Sequence, residues 1–300
     1  MIDNNLLFGR NRAEVRKTGA MTLAALQVHE TNDAAAFWPV IQPLIAAKPI
    51  LCSVLASNTA RCRDLAGGSP GARWYWVTQE ERIIAAAMHI PPHGLHLPDG
   101  GPLVADALAR HLLASHYPLS SVGGERFTVE AFSSAWIGLG GAASRTVRTN
   151  EAIYYLAELL PNPRPAGSLH YATSADVDLV DHWCFNFEQE ALGRHFPGRN
   201  PQDLIHERRL ALWQVDGRPV SMAGTSRPFN RVARISWVFT PTEQRGNGYA
   251  TAVVTGLSRD QQAIGNRCVL YANLANCTSN AIYWAIGYRR MAEAVEIDFS

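Results

Sequence analysis

Hydrophobic positions in the second half of the chain follow two periods, one typical of strands and one typical of helices. Ile235, Trp237 and Phe239 occupy every second position, which predicts a strand with one buried face. Asp216-Gly217 separates two apolar runs and is a strong hairpin signal. Together these patterns predict strands over residues 210–215, 220–225, 234–239, 267–274 and 295–299, and helices over residues 174–192 and 249–264 and in the region that ends at Ile286.

The first half of the chain, from about Thr22 to Leu160, carries a similar mixture of strand and helix patterns. We expect its helical stretch at residues 34–56 to be broken by prolines, because a proline inside a helix removes a backbone donor. The predicted strands cover residues 74–77, 83–88 and 152–156, the predicted helix covers residues 102–114, and the prolines are Pro39, Pro43 and Pro49. Strands and helices that alternate in this way indicate the α/β class.

A proline-rich segment at residues 161–167 separates the two halves. It contains three prolines within five residues, a composition that favours stiff and extended backbone. We therefore predict domains at residues 21–160 and 168–300, joined by this linker. Residues 1–20 lack the continuous apolar core of a signal peptide, and we expect a disordered extension there, with Met21 as an alternative start.

Composition and charge narrow the range of functions. Hydrophobic residues make up 47% and charged residues 18% of the 300 positions, as in an ordinary soluble enzyme. The formal net charge of +1 makes no case for a nucleic-acid or anionic membrane partner. The chain has five cysteines, none of them in CxxC spacing, which is typical of reduced thiols in the cytoplasm. We expect a cytoplasmic monomer or homodimer.

Three histidines, His89, His93 and His96, are close enough in sequence to be considered as metal ligands. The residues between them include two prolines and a glycine, which indicates a loop rather than a helix that presents ligands on one face. We therefore expect no metal site.

The nine residues from Thr240 to Gly248 form the loop between the predicted strand at 234–239 and the helix that follows. Gly246 and Gly248 permit positive φ angles, so several backbone N–H groups can point at one site. The helix N-terminus adds further unpaired donors and the positive end of its dipole. These features suit a bound phosphate group.

Other interpretations of this loop remain open from these residues alone. Asn247-Gly248 also fits a tight turn. A dinucleotide-binding fingerprint is excluded because Thr251 stands where G-x-G-x-x-G has its third glycine. A P-loop is excluded because the loop lacks Gly-Lys-Ser/Thr.

A longer signature decides between these interpretations. The run from Gln244 to Ala250 resembles the acetyl-CoA loop of the GCN5-related N-acetyltransferases (GNAT), whose pattern is Q/R-x-x-G-x-G/A. Arg245, Gly248 and Ala250 fill the three fixed places of that pattern.

A second signature follows about thirty residues later. The run from Asn276 to Tyr288 resembles the GNAT pattern N-x-x-A-x-x-x-Y-x-x-x-G-F, with Ser279 in place of the alanine and Tyr288 in place of the phenylalanine. Two signatures in the right order are more specific than either alone, and the resemblance covers about residues 168–300. The first half looks like a degenerate copy that has no such loop, as in the tandem members of the family.

The resemblance implies a fold, a donor and a reaction. The implied fold is a mixed, mostly antiparallel sheet flanked by helices, in two tandem copies of which the first binds no CoA. The implied co-substrate is acetyl-CoA, whose pantetheine arm lies between splayed strands, and the implied reaction is direct acetyl transfer to an amine in a ternary complex. The residues implied in donor binding are Val238, Phe239, Gln244, Arg245, Gly246, Asn247, Gly248, Tyr249, Ala250, Thr251, Asn276, Ser279 and Tyr283.

The implied reaction needs three groups. The acceptor must lose a proton, because an alkylammonium is not a nucleophile. The N–H of Val238 can stabilise the oxyanion, and Tyr283 can protonate the departing thiolate. Many relatives carry a basic glutamate on the strand before the loop, but residues 234–240 contain no carboxylate. Glu188 and Glu190 on the helix at 174–192 are candidates, and we predict Glu190 as the base, with a water chain as the alternative.

Two alternatives to this function stay open. The missing strand glutamate supports a CoA-binding sensor or scaffold without turnover. An acyltransferase that uses another acyl-CoA is equally compatible with the signatures, because the shape of the cleft sets the length of the acyl chain. The residue pattern does not identify the acceptor amine.

Overall fold

The computed structural model describes residues 25–65, 69–193 and 201–300. The predictions for residues 1–20 and for a start at Met21 lie outside these ranges. The strands are β1 (Gln27–Thr31), β2 (Arg73–Gln79), β3 (Arg82–His89), β4 (Leu95–Leu97), β5 (Ser121–Glu125), β6 (Arg145–Leu156), β7 (Ser168–Tyr171), β8 (Leu210–Val215), β9 (Arg218–Thr225), β10 (Val232–Phe239), β11 (Arg267–Asn273) and β12 (Tyr288–Phe299). The helices are α1 (Ala34–Ala47), α2 (Ser53–Asp64), α3 (Gly101–Ala114), α4 (Arg126–Gly138), α5 (Val177–Leu192), α6 (Pro201–His206), α7 (Tyr249–Ala263) and α8 (Cys277–Ile286), with single 3-10 turns at Ser174–Asp176 and Thr242–Gln244.

The strands and helices predicted from the hydrophobic pattern are present, but two strands are much longer than predicted. β6 begins at Arg145 and β12 begins at Tyr288. Both lie in the middle of the sheet with a partner on each side, and hydrogen bonds to two neighbours extend a strand beyond the part whose side chains alternate clearly.

One prediction about α1 is wrong, because Pro39 and Pro43 do not break the helix. Both prolines lie on the exposed side of α1, where water can satisfy the carbonyl groups that lose a helical partner. The buried side carries Phe37, Ile41 and Leu44, and the packing of this face holds the helix together.

The two halves of the chain repeat the same order of elements. In the first half, β2, β3 and β4 pair antiparallel, and α3 then connects β4 to a parallel neighbour, β5. In the second half, β8, β9 and β10 pair antiparallel, and α7 connects β10 to its parallel neighbour β11. Each half ends with one more helix and one more strand, which are α4 and β6 in the first and α8 and β12 in the second. The tandem arrangement expected from the sequence is consistent with this repetition.

The last strands of the two halves are exchanged. β6, from the first half, pairs with β11 and β12, whereas β12, from the second half, pairs with β5 and β6. All twelve strands therefore form one sheet in the order β1-β2-β3-β4-β5-β12-β6-β11-β10-β9-β8-β7. The pairing of strands thus crosses the predicted linker, and the domain boundaries at 161–167 stay a prediction.

Four helices cover each face of the sheet. The apolar side chains of α3 and α4 pack on one end of what we call the back face, and α7 and α8 pack on the other end. On the opposite side, the front face, α1 and α2 pack over the first strands and α5 and α6 over the last. The four clusters of buried side chains follow this division, so the fold is an α/β sandwich of mostly antiparallel type, as expected.

Gly287, between α8 and β12, is the tightest glycine in the exchange region. A Cβ atom there would lie 1.7 Å from the carbonyl oxygen of Glu158, which follows β6, and the φ angle is +114°. The backbone N–H of Leu160 also donates to the carbonyl of Ile286, so this contact joins the ends of the exchanged strands.

We expect Gly287→Ala to destabilise the protein strongly, because backbone atoms on both sides of the contact must move. A suitable control is Gly140→Ala, which has a φ angle of +82° and no atom within 4 Å of the added Cβ. The control should lower the free energy of unfolding by about 1 kcal/mol through backbone strain alone. The Gly287 variant should lose roughly 2 kcal/mol or more beyond that, measured by urea unfolding. Equal losses in the two variants would contradict the contact.

Candidate active site

A gap opens between the parallel strands β10 and β11. The two strands pair only from Val232 to Ile235 on β10 and from Arg267 to Leu270 on β11. Beyond these residues β10 shifts its register against β9, and Trp237 adopts a φ angle of +56°. This β-bulge turns the end of β10 away from β11, so the strands splay.

Packing on the front face holds the bulge in place. Trp237 is 7% exposed, and its ring lies 5.4 Å from the ring of Phe187 on α5. The next aromatic residue, Phe239, packs against Trp183 at 6.0 Å. A positive φ angle is costly for a tryptophan, and these buried contacts offset the cost. α5 therefore fixes the geometry of the gap.

The loop after β10 leads into the N-terminus of α7. Gly246 and Gly248 have φ angles of +81° and +78°, and a Cβ atom at either position would meet nothing within 4 Å. The glycines are thus required by the backbone conformation, and open space lies in front of them. Gly248 is the N-cap of α7, and no side chain of the described residues caps this helix. The first amide groups of α7 are left as donors for an anion.

Arg245 is held at the edge of this loop. Its Nε donates to the carbonyl of Thr240 at 2.9 Å, and its Nη2 donates to Glu190 on α5 at 2.6 Å. Both side chains of this ion pair are about half exposed, so the pair adds little to stability. Glu190 therefore lies beside the loop arginine, and its role as the base stays a prediction. Glu188, the other candidate, is buried.

α8 presents the residues of the second signature. Asn276 is its N-cap, and the side-chain oxygen accepts a hydrogen bond from the N–H of Ser279 at 2.9 Å. Tyr283 is buried one turn further on, with its ring 6.3 Å from Tyr154 and 6.1 Å from Tyr288. Burial raises the pKa of Tyr283 to about 12, against the opposite effect of a hydrogen bond with Ser279. The phenol therefore stays protonated at neutral pH.

Asn280 is an ordering residue that the sequence analysis missed. Its Nδ2 donates to the carbonyls of Asn273 and Asn276, both at 2.9 Å, and its Oδ1 accepts from the hydroxyl of Tyr154 at 2.9 Å. The side chain thereby joins β11, α8 and β6. Tyr154 belongs to the first half of the chain, so no spacing within the second signature could have indicated this contact.

The sequence-predicted residues therefore lie in two groups around one gap. The first group runs from the last residues of β10 into the start of α7 and the second follows the end of β11, so both are at the same edge of the sheet. The first group consists of Val238, Phe239, Gln244, Arg245, Gly246, Asn247, Gly248, Tyr249, Ala250 and Thr251, and the second of Asn276, Ser279 and Tyr283.

Two other classes of site were searched for in the described parts of the chain. Residues 25–65, 69–193 and 201–300 contain no group of three His, Cys, Asp or Glu side chains that could hold a metal ion. His89 instead bonds the hydroxyl of Tyr117 at 2.5 Å. Among the helices in these ranges, none has the length and apolar composition needed to cross a membrane.

Comparison with known proteins was made at the level of sequence and of structure. Residues 216–297 match a family model described as FR47-like protein. No curated protein sequence matches the chain.

Solved structures resemble the whole chain. An acetyltransferase of the GNAT family from Colwellia psychrerythraea is 12% identical, with 91% of this chain and 100% of that chain covered and a TM-score of 0.55. A GCN5-related N-acetyltransferase from Sphaerobacter thermophilus is 14% identical, with 90% and 94% covered and a TM-score of 0.54. A Drosophila protein is 10% identical, with 92% and 99% covered and a TM-score of 0.60.

At these identities the structural likeness concerns the fold, and it extends over both halves of the chain. The FR47-like match concerns the segment that carries both signatures. Together they confirm the resemblance that the signatures indicated, and the chain is a GNAT-fold protein.

Proposed function

We propose that the protein is an N-acetyltransferase that transfers an acetyl group from acetyl-CoA to an amine. The observation that carries this proposal is the gap between β10 and β11, with the uncapped N-terminus of α7 at its mouth. A sheet that splays at one pair of strands leaves backbone donors and acceptors without a partner strand, and an extended amide-bearing chain can take that place. The pantetheine arm of CoA has this chemistry.

The loop suits the pyrophosphate of the same molecule. The open space before Gly246 and Gly248 allows phosphate oxygens to approach the backbone closely. Arg245 adds a cation at the rim, which can exchange its contact with Glu190 for a charge-assisted contact with a phosphate. Asn276 uses its side-chain oxygen in the helix cap, so its predicted contact with the arm would use the Nδ2 donor.

The chemistry follows from this placement. The amine attacks the thioester carbonyl directly, the backbone N–H of Val238 stabilises the oxyanion, and Tyr283 protonates the departing thiolate. The hydroxyl of Tyr283 is protonated at neutral pH, so it has a proton to give in this last step. A direct transfer needs no covalent intermediate with the enzyme.

Release of thiol from acetyl-CoA tests the function. We expect thiol release to depend on an added amine, measured with a thiol reagent across a panel of primary amines and amino-terminal peptides. Tight CoA binding with no turnover for any amine would support a sensor or scaffold instead. Turnover only with longer acyl-CoA donors would support an acyltransferase of different chain length.

Gly248→Leu should weaken acetyl-CoA binding by about 10-fold or more, because the side chain enters the space of the phosphate. The control is Gly217→Leu in the β8–β9 turn, where the φ angle is +73° and the added Cβ also meets nothing within 4 Å. Both variants carry a similar backbone strain, so their thermal unfolding should be similar. Calorimetry should show weaker binding in the Gly248 variant alone. Equal affinity in both variants would remove the loop from the site.

Tyr283→Phe should lower kcat by about 100-fold, because it removes the proton donor and leaves the ring in place. The dissociation constant of acetyl-CoA should change by less than about twofold, because the phenol acts on the thiolate rather than on the bound donor. Tyr171→Phe is the control. Tyr171 lies on β7, away from the gap, and its hydroxyl donates to Asp260 on α7 at 2.8 Å. A wild-type kcat for Tyr283→Phe would exclude Tyr283 from the mechanism.

A further inference from the structure

A row of polar side chains crosses the front face of the sheet. It runs from β4 to β10, across the middle of the strand order. The register of the strands places them on one side. His96 on β4 lies opposite Gly123 on β5, which lies opposite Glu296 on β12. Ala294, two residues before Glu296 and on the same side, lies opposite Glu151 on β6.

The row continues toward the proposed donor site. Glu151 lies opposite Asn273 on β11, and Tyr271, two residues earlier, is on the same side. Arg234 on β10 is level with Val269 and shares this side as well. Every second residue of a strand lies on the same face, and residues paired across two strands share a face. These side chains therefore all point to the front. Glu151 is thus one strand away from β11, the strand that borders the gap.

Helices lie on both sides of this row. On one side, Ser57 on α2 accepts a hydrogen bond from Arg234 at 3.4 Å, and Ser53 lies beside Tyr271. On the other side, α5 packs on β10. Between these helices, the side chains of Glu151 and Tyr271 are partly exposed to solvent.

Glu151 has the environment of a reactive carboxylate. Its side chain makes no hydrogen bond or ion pair with another side chain of the described residues, although a largely desolvated carboxylate normally has such a partner. Burial raises its pKa to about 7, and the nearby negative charge of Glu296 adds to the effect. Glu296, in contrast, has a cationic partner, because Arg148 donates a hydrogen bond to its carboxylate at 2.9 Å.

We propose that Glu151 binds the acceptor as an aliphatic ammonium ion and accepts its first proton, so that Glu151 rather than Glu190 is the general base. This inference rests on the proposed acetyltransferase function. The acceptor is therefore a primary aliphatic amine, which is a cation before it reacts. Glu190 lies beside the loop arginine, at the proposed pyrophosphate end of the donor site, whereas Glu151 lies on the front face next to β11.

The protons and bonds of the reaction balance with this assignment. Glu151 takes one proton from the ammonium ion, and the free amine then forms the C–N bond at the thioester carbonyl. The C–S bond breaks, and the sulfur takes a proton from Tyr283. The nitrogen releases its second proton, which returns Tyr283 to the phenol through solvent, and Glu151 passes its proton to solvent.

The ionisable groups around Glu151 determine whether its own titration can be distinguished in a profile of rate against pH. Burial lowers the pKa of His96 to about 4, with a further effect of Arg234, so the imidazole is neutral at neutral pH. Burial raises the pKa of Tyr271 and that of Cys52, which lies at the start of α2. These groups do not change charge near neutrality. The remaining neighbours are Arg234, which stays cationic, and Glu296, which is paired with Arg148.

The sign of the pH effect follows from the role of a base. Glu151 must be ionised to accept a proton, so kcat/KM should rise with pH through the folded-state pKa of about 7 and fall as the carboxyl is protonated below it. Glu151→Gln should remove this step from the profile. It should also lower kcat/KM for aliphatic amines by about 100-fold or more at neutral pH.

The experiment compares Glu151→Gln with Glu190→Gln and Glu158→Gln in the full chain. Glu158 is an exposed residue just after β6, and it serves as the matched control. Each variant is assayed for thiol release with acetyl-CoA and a panel of primary aliphatic amines across the pH range, and its acetyl-CoA affinity is measured by calorimetry. We expect Glu158→Gln to keep the wild-type rate and pH profile, and Glu151→Gln to lose rate and the pH step while it retains wild-type acetyl-CoA affinity. It should also retain the wild-type unfolding temperature, because the amide has the same shape and loses no pairing.

The outcomes separate the two proposals. An active wild type with an unchanged rate and profile in Glu151→Gln overturns this inference and leaves the acetyltransferase function standing. A selective loss in Glu190→Gln has the same meaning and restores Glu190 as the base. A wild type that binds acetyl-CoA and acetylates no amine overturns the proposed function and the base together. A Glu151→Gln variant with weakened acetyl-CoA affinity overturns the assignment to the acceptor side.

Discussion

The pairing of β6 with both β11 and β12 is the interaction on which the rest of the structure depends. Without β6, one part of the sheet would end at β11, and the other part would end at β12. Both would be edge strands with a row of unpaired backbone groups. The exchange of β6 and β12 removes these two edges from the interior of the molecule. The two halves are consequently one sheet, although their sequence pattern divides into two.

The exchange also determines which residues meet at the proposed active site. Because β6 lies next to β11, the first half contributes Tyr154 on the back face and Glu151 on the front face. Tyr154 orders α8 through Asn280, and its ring lies beside Tyr283. The second half supplies the loop and the gap for the donor. The second half alone would lack Tyr154 and Glu151, so the proposed donor binding and acceptor chemistry draw on both halves.

The local parts of this arrangement could be predicted from the sequence, and the nonlocal parts could not. The alternation around Ile235 and the glycines of the loop act within a few residues, so the sequence analysis placed β10, α7 and their connection correctly. The neighbours of β6 depend on a choice between equivalent partners, since β5 and β11 offer the same kind of edge. No periodicity distinguishes these partners. Glu151 was therefore missed as a candidate base, and the carboxylates considered were those near the signatures in sequence.

The first half shows why the proposed donor site is confined to the second half. There the parallel strands β4 and β5 pair along the whole of β4, from Leu95 to Leu97, without the splay seen between β10 and β11. A Cβ atom at Gly124 would lie 2.0 Å from the carbonyl oxygen of Leu97, so these backbones are in close contact and leave no space for an inserted chain.

The helix that follows β4 is closed to anions as well. Asp99 accepts from the N–H of Gly100 at 2.8 Å, and the hydroxyl of Thr128 accepts from the N–H of Gly101 at 3.0 Å. The chain's own oxygen atoms thus occupy donors at the start of α3, and fewer backbone N–H groups remain there for an anion. The corresponding helix α7 begins after a nine-residue loop, from Thr240 to Gly248, with no side-chain cap in the described structure. We therefore attribute the proposed binding of a phosphorylated donor to the length of this loop and the conformation of its two glycines, rather than to the fold.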